Sequence, residues 1–581
     1  MLLNLVRMET NLRGIQVPLP RFRIAEINKE LTCVKGFNSL QTFFPTLSKL
    51  YRLTKHQMNN VWLDSKWRIV GLDISGTSGP CVLSLIPNED VSGNIMPEKK
   101  THNAFLKVTH LLDPVRWMKG KYSLPKHTGL PWHNKTWANA WTKLQDSWNQ
   151  AYVETIAAYA LGRLRDENIS PHFNEFYGAF CARADIYRFN LTEDFGSYKN
   201  ARWFWNAHKH DLFKIHVVNL NDPDVPITKE MLDEILREPS ITGSIVDSDT
   251  DCEDHIDGNE GDEDEILITE TNDIIDSEDI QSLHSDEMSD VSYANGSDKI
   301  SENNGLDDNL KIYAELFNFP VMLIAVEHNS GTMDELFNNL EEIGATPGTP
   351  EWETCWSAWI FQVIAALSVA QAFIGLTHND LHTNNIVWTP TTEEFLYYTL
   401  KSGATFKVPT FGKLFRIIDF GRAIFTINGV QFISDDFRAN NDADGQYSFK
   451  PLHPKPREEI LPNPSFDLSR LAVSLFESLF PDEPEEKEGG CILSSEDDLI
   501  MNETTSHLCN CLWMWMVDDD GKNILIEPNG DERFPGFDLY KHIAAKVHGA
   551  VPSEQFKHPA FDRFQVNPST VGSVKKWSLY C

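Results

Sequence analysis

Apolar positions in the first part of the chain fall into short runs with the spacing of β-strands. Residues 67–85 predict two strands around a glycine-containing turn. Residues 104–108 and 173–180 predict two further strands, and the nearly continuous apolar run at 319–326 suits a buried strand. The pattern therefore predicts a series of strands that opens with a hairpin.

A helical period occurs between these strands, where residues 141–165 predict a helix. Leu144, Trp148 and Tyr152 recur at every fourth position and form one apolar face. We expect the N-terminal segment or an insertion to cover this face and to bury Trp148. Glu154 lies off the face, so we expect it to point into a cleft, with a solvated helix glutamate as the alternative.

The longest apolar stretch, residues 359–376, reaches the length that raises the question of a membrane span. Gln362, Ser368 and Gln371 interrupt it, and it leads directly into a polar motif. We therefore expect a buried helix and no membrane association.

Composition and charge distinguish one acidic segment from the rest of the chain. With 581 residues and 41% hydrophobic content, it is long enough for two or three compact units. The net charge is -34, but residues 247–308 hold 23 Asp and Glu against one basic residue, Lys299, which leaves -34 + 22 = -12 for the rest. This acidic insertion lacks the apolar side chains to offset its ordering entropy, so we expect it to be disordered and available to a protein partner. The acidic balance argues against nucleic acid or membrane partners.

The cysteines indicate a reduced compartment. Nine are scattered along the chain, and the one close pair, Cys509 and Cys511, lacks the second pair that a zinc site needs. We expect a soluble, intracellular protein.

Two polar motifs follow the long apolar stretch. Residues 378–385 read His-Asn-Asp-Leu-His-Thr-Asn-Asn, and residues 418–421 read Ile-Asp-Phe-Gly after an apolar run. The motifs carry three oxygen-bearing side chains, Asp380, Asn385 and Asp419, and hard oxygen donors are the ligand type that magnesium prefers.

Together with the glycine turn, Lys107 and Glu154, these motifs resemble the ordered motifs of the protein kinase superfamily. The segments Asn-Asp-Leu-His and Ile-Asp-Phe-Gly-Arg-Ala are similar to those of divergent serine/threonine protein-kinase-like proteins of large DNA viruses. The resemblance covers roughly residues 67–480. It implies an α+β, bilobal fold, in which a small antiparallel β lobe with one main helix precedes a larger, mainly α-helical lobe. For a viral protein, the location would be the host cytoplasm or the virion.

The resemblance divides the chain into an N-terminal extension at 1–66, a small lobe with insertions at 67–326 and a large lobe at 327–581. The small lobe would contain an ordered or partly ordered insertion at 185–245 besides the acidic one.

The resemblance also implies catalytic roles, with ATP and Mg²⁺ as cofactors. Asp380 would orient a serine or threonine hydroxyl of a protein substrate. Asn385 and Asp419 would bind magnesium, and Lys107, held by Glu154, would contact the α- and β-phosphates. The implied activity is that of a serine/threonine protein kinase.

Four further residues would contact the nucleotide. Gly76 and Gly79 would let the turn approach the phosphates, although an ordinary hairpin turn is the alternative. The backbone at Glu327, in a connector between the lobes, would meet the adenine. His382 replaces the lysine that the family usually places near the phosphates.

Departures from the family pattern keep two alternatives open. Phe105 replaces a small residue of the adenine pocket, the turn contains few of the family's glycines, and the insertions are large. These three features favour a pseudokinase that serves as a binding scaffold. His382 and Asn379 favour a small-molecule phosphotransferase. Asn379 also replaces an arginine that reads a phosphorylated activation loop, so control by such phosphorylation is not expected.

Overall fold

The structure is a computed structural model that describes residues 21–26, 31, 34–54, 57–88, 98–122, 138–219, 235, 310–339, 344–439, 441–447, 461–494 and 500–581. The acidic insertion at 247–308, and with it the prediction of disorder, lies outside the described residues.

The described strands are β1 Ile24–Glu26, β2 Phe37–Gln41, β3 Val61–Leu63, β4 Trp67–Ile74, β5 Gly79–Pro87, β6 Lys100–His110, β7 Phe176–Asn190, β8 Lys214–Asn219, β9 Leu310–Glu327, β10 Gly331–Thr332, β11 Ile386–Pro390, β12 Phe395–Thr399, β13 Thr405–Pro409, β14 Lys413–Ile417, β15 Phe425–Ile427, β16 Val430–Phe432, β17 Gln565–Val566 and β18 Trp577–Ser578. The described helices are α1 Pro45–Tyr51, α2 Pro114–Met118, α3 Ala138–Gln145, α4 Gln150–Asp166, α5 Phe195–Lys199, α6 Arg202–Lys209, α7 Pro350–Ile374, α8 Phe466–Leu479, α9 His507–Trp515, α10 Asp538–Lys546, α11 Pro552–Gln555 and α12 Pro559–Asp562.

A curled antiparallel sheet forms the first part of the fold, so the α+β class is confirmed. Its order is β2-β7-β9-β6-β5-β4, and β8 pairs with the first half of β9. The curl brings β4 against β7, although the two are not neighbours: a Cβ on Gly178 would lie 3.2 Å from Ile69. The strands predicted at 67–85, 104–108, 173–180 and 319–326 all lie in this sheet.

The predicted helix at 141–165 is wrong in one respect, because the structure has two helices there, α3 and α4. Asn149 begins α4 as its N-cap, and its Oδ1 accepts a hydrogen bond from the backbone of Ala151 at 3.1 Å. An Asx side chain at this position satisfies a free N–H of the first turn, so a new helix starts.

The N-terminal segment covers the apolar face of α3 and α4, as predicted. Phe44 stacks on Tyr152 with ring centroids 5.3 Å apart, and Thr46 Oγ1 donates to the carbonyl of Ser147 at 2.9 Å. Trp148 is only 6% exposed. Strand β2, from the expected N-terminal extension, is itself part of the main sheet.

The second part of the fold is built around α7. Thr349 caps its start by accepting from the backbone N–H of Trp352, and Gly375, with φ of 60°, ends it. By length and composition α7 could cross a membrane, but 83% of its most apolar window is buried within the fold. The prediction of a buried helix is therefore confirmed.

Candidate active site

Lys107 joins three parts of the fold. It lies on β6, its ammonium is ion-paired with Glu154 of α4, and it lies 2.8 Å from Oδ1 of Asp419, just after β14. Thr109 Oγ1 donates to the other carboxylate oxygen of Glu154 at 3.3 Å. The sheet, helix α4 and the Asp-Phe-Gly segment therefore converge on one amine.

The two carboxylates at Lys107 differ in exposure. The Glu154 side chain is 4% exposed, whereas that of Asp419 is 47% exposed. Burial opposes the charge of Lys107, but Asp419 and Glu154 raise its pKa overall. The surrounding protein disfavours the charge on Asp419, yet Lys107 lowers the pKa of this carboxyl below its usual range. Asp419 is thus an ionised group open to a ligand, and Glu154 is a buried partner.

The loop at 378–385 is held by α8. The two carboxylate oxygens of Asp467 accept hydrogen bonds from the backbone N–H groups of His378 and Asn379, each at 2.9 Å. His378 Nδ1 accepts from the backbone of Asp380 at 3.3 Å, so its Nε2 donates to the carbonyl of Ile418 at 2.8 Å. Nδ1 therefore stabilises the loop itself, and Nε2 joins the loop to the segment that carries Asp419.

Asn385 lies beside Asp419 because its carbonyl accepts from the backbone of Ile418 at 3.0 Å. Its Nδ2 donates to the carbonyl of Asp380 at 2.9 Å and to His382 Nε2 at 3.1 Å. Burial lowers the pKa of His382, so the neutral imidazole can accept this bond. The amide is thereby oriented with Oδ1 as its free oxygen.

Asn385 and Asp419 fit a magnesium ion by the chemistry of their donors. An amide oxygen and an ionised carboxylate lie on adjacent chain segments, and magnesium takes its other ligands from water and phosphate. Within the described part of the chain, no group of three or more His, Cys, Asp and Glu is arranged to hold a metal. An ion at this place would thus complete its coordination with water or with phosphate oxygens.

The glycine turn and Glu327 both lie beside β6, the strand that carries Lys107: Gly79 is paired with Leu106, and Glu327 is paired with Ala104. Gly79 begins β5 with φ of 118°, and Ser78 Oγ donates to the carbonyl of Leu106 at 3.1 Å, which ties the turn to β6. Gly76 lies within the turn itself, between β4 and β5. The carboxylate of Glu327 is occupied by Arg165 at 2.6 Å and Arg416 at 3.2 Å. Its backbone N–H donates to the carbonyl of Glu175 at 3.0 Å, and its carbonyl accepts from Asn329 Nδ2 at 3.3 Å, so Glu327 itself is already engaged within the fold.

Phe105 lies two residues before Lys107 on β6, so the two side chains share one face of the strand. It is 37% exposed, and its neighbours across the sheet are Pro80 and Val326. The ring is thus directed to an open surface and not packed into the core.

Helix α4 is held in place by Asp435. This carboxylate is ion-paired with Lys143 of α3 and accepts from the backbone N–H of Gln150, in the first turn of α4, at 2.9 Å. Gly421 lies against the same turn, since a Cβ there would come within 2.9 Å of the Gln150 side chain. Asp435 therefore fixes the start of the helix that carries Glu154.

Asn379 is buried and has a structural role. Its Nδ2 donates to the carbonyls of Thr377 and Arg422, and its Oδ1 accepts from the hydroxyl of Tyr447 at 2.5 Å. A small amide thus joins the loop to the segment after Asp-Phe-Gly.

The structure adds three residues that the sequence analysis missed. Asp435 fixes α4, Arg422 Nη1 lies 3.7 Å from Oδ2 of Asp380, and the hydroxyl of Tyr540 contacts Oδ1 of the same carboxylate. Arg422 follows Asp419 by three residues and could have been considered with it. Asp435 and Tyr540 lie in no sequence motif that indicates a role at the site.

No protein-family model matches the chain, and no curated protein matches it. The geometry of the site therefore carries the functional argument.

Proposed function

We propose that the chain is a protein kinase of bilobal fold that transfers the γ-phosphoryl group of ATP to serine or threonine hydroxyls of protein substrates. The observation that carries the proposal is the contact of Lys107 with both Glu154 and Asp419. Lys107 is thereby placed beside an exposed, ionised carboxylate, and the segment of that carboxylate is hydrogen-bonded to Asn385 through Ile418, an arrangement suited to a metal-bound triphosphate.

Each residue has a chemical task in this reaction. Lys107 binds the α- and β-phosphates, and Asp380 accepts a hydrogen bond from the acceptor hydroxyl and orients it for attack. Magnesium, when bound by Asn385 and Asp419, neutralises charge on the β- and γ-phosphates. The backbone near Glu327 would contact the adenine, and the turn with Gly76 and Gly79 would cover the phosphates.

Labelled ATP and a generic protein substrate test this function. We expect Asp380→Asn to lower phosphoryl transfer by about 10²- to 10⁴-fold, because the hydroxyl loses its acceptor. Asp519→Asn is the matched control, since Asp519 is an exposed carboxylate that pairs with His548. Equal loss in both variants, or transfer that survives Asp380→Asn, would contradict the assignment.

A pseudokinase scaffold is the second candidate, and the ring of Phe105 on the face of Lys107 favours it. Nucleotide binding and phosphoryl transfer, measured together, separate the two, and the absence of nucleotide binding also favours the scaffold. ATP with magnesium at 100 times the dissociation constant stabilises a binding protein by about 2.7 kcal/mol, which a thermal shift detects. A shift without transfer to any protein favours the scaffold, and transfer only to small hydroxyl compounds favours the phosphotransferase.

A further inference from the structure

Helix α10, outside every motif that the sequence analysis used, brings a tyrosine to the proposed catalytic carboxylate. The hydroxyl of Tyr540 lies 2.8 Å from Oδ1 of Asp380. The tyrosine is 5% exposed, so it is part of the interior.

The direction of this hydrogen bond follows from a third residue. Arg470 Nε donates to the Tyr540 oxygen at 3.0 Å, and a guanidinium cannot accept a hydrogen bond. The phenolic hydrogen is therefore free to be donated to Asp380. Burial raises the pKa of Tyr540, and the negative charge of Asp380 raises it further, whereas the positive charge of Arg470 lowers it. The net pKa is raised, so the phenol keeps its proton at neutral pH.

The ring of Tyr540 is held on several sides. Phe537 stacks on it with centroids 5.2 Å apart, Phe466 lies at 5.9 Å, and the Arg470 guanidinium lies 5.3 Å from the ring centroid. Arg470 follows Asp467 by three residues on α8, so one helix anchors the loop backbone and also orients the tyrosine. Such packing is that of a fixed part of the site and not of a mobile lid.

The two oxygens of Asp380 are thereby made unequal. Oδ1 is occupied by Tyr540, whereas Oδ2 faces Arg422 at 3.7 Å, too far for a hydrogen bond. Among the residues that the structure describes, none donates a hydrogen bond to Oδ2. This oxygen is left for the hydroxyl of a substrate.

We propose that Tyr540 is a positioning residue that fixes the Asp380 carboxylate with Oδ2 directed to the acceptor hydroxyl. The proposal rests on the proposed function for its kinetic consequence. Its geometric consequence, the orientation of the Asp380 side chain, does not depend on activity.

Tyr540→Phe tests it, because the variant keeps the ring and its packing and removes only the hydroxyl. We expect kcat to fall about tenfold, the effect of one hydrogen bond to a charged group, with the KM for ATP unchanged. Tyr398→Phe is the matched control, since it removes a buried hydroxyl that bonds to His172 and not to the site. In the double variant with Asp380→Asn, the loss of Tyr540 should have no further effect.

Several outcomes would overturn the proposal. An unchanged kcat would show that the hydroxyl does not position Asp380, and an increase would assign Tyr540 an autoinhibitory role. If the unmodified protein shows no transfer, the proposed function fails, and a crystal structure of Tyr540→Phe then decides the positioning. A rotated Asp380 carboxylate supports the role, and an unmoved one overturns it.

Discussion

At the scale of single residues, Lys107 is paired with two carboxylates that differ in exposure. This difference predicts that a change at Glu154 affects activity more than it affects the stability of the fold. Burial raises the pKa of the Glu154 carboxyl, although the charge of Lys107 lowers it. The ionised form of Glu154 therefore adds little to the free energy of folding at neutral pH. Asp419 remains as a partner of Lys107 when Glu154 is neutralised.

Glu154→Gln should therefore lower phosphoryl transfer much more than stability. We expect kcat/KM for ATP to fall about 10- to 100-fold, because Lys107 loses the charge-assisted bond that aligns it. The melting temperature should change by only a few degrees. Parallel kinetics and thermal unfolding check this, and a collapse of stability with unchanged kinetics would contradict it.

Adjacent aspartates after β16 have opposite electrostatic environments. Asp435 is paired with Lys143, whereas Asp436 is 8% exposed and its Oδ2 has no hydrogen-bond partner among the residues that the structure describes. Burial raises the pKa of Asp436 to about 7, the charges of Asp435 and Asp442 add to this, and Arg422 and Lys143 act against it.

Asp436→Asn should stabilise the protein at alkaline pH. Because the folded-state pKa is raised, the contribution of this carboxyl is fully present below its unfolded pKa near 3.8 and is lost as the pH rises through about 7. We expect the variant to gain roughly 1–3 kcal/mol at pH 8 and much less at pH 5, measured by urea unfolding. Asp435→Asn is the control and should lose stability at both values, because it breaks an ion pair. Equal signs for the two variants would contradict the argument.

At the scale of elements, α8 holds the loop at 378–385 through Asp467, which accepts two backbone hydrogen bonds with two oxygens. An asparagine at this position has one oxygen, and its amide hydrogens would face the second backbone N–H. The helix thus positions a loop that has little regular structure of its own.

Asp467→Asn should lower the free energy of unfolding by about 1–3 kcal/mol, since a buried N–H loses its acceptor. Phosphoryl transfer should fall with it, because the loop carries Asp380. Asp538→Asn provides the comparison: its side chain is 66% exposed and pairs with Lys541, so we expect a change within about 0.5 kcal/mol. Denaturant unfolding of both variants measures the difference, and equal losses would contradict the anchoring role.

At the scale of the whole molecule, the acidic insertion lies in the sequence between two strands that pair with each other. Asn219 at the end of β8 and Leu310 at the start of β9 are partners in the register of the sheet. The chain therefore leaves and re-enters the sheet at one place, as in a hairpin.

Deletion of residues 247–308 should leave the fold intact, because a shorter loop still connects adjacent strands and changes the closure free energy by only about 1 kcal/mol. The net charge should change from -34 to -12, and transfer to a generic substrate should persist. Deletion of residues 393–410 is the contrasting control, because Tyr398 and Phe406 pack on Phe361 of α7 and their loss should unfold the protein. A loss of the folded state in the first deletion would contradict the prediction.

The sequence alone was sufficient for features that depend on neighbouring residues. The strand runs, the burial of Trp148 and the polarity of the loop at 378–385 follow from side-chain periods and local composition. The helix at 141–165 was only partly predicted, because its break depends on a single capping bond at Asn149.

Only the tertiary structure decided which distant side chains share the site. Tyr540 meets Asp380 across 160 positions of sequence, and Asp435 reaches Gln150 across 285. Such contacts depend on how α8, α10 and the sheet pack together, and no local period of apolar residues encodes that packing. The residues that carry the proposed chemistry, and Glu154 that holds Lys107, were therefore readable in the sequence, whereas the placement of Asp435 and Tyr540 at the site was determined by the fold.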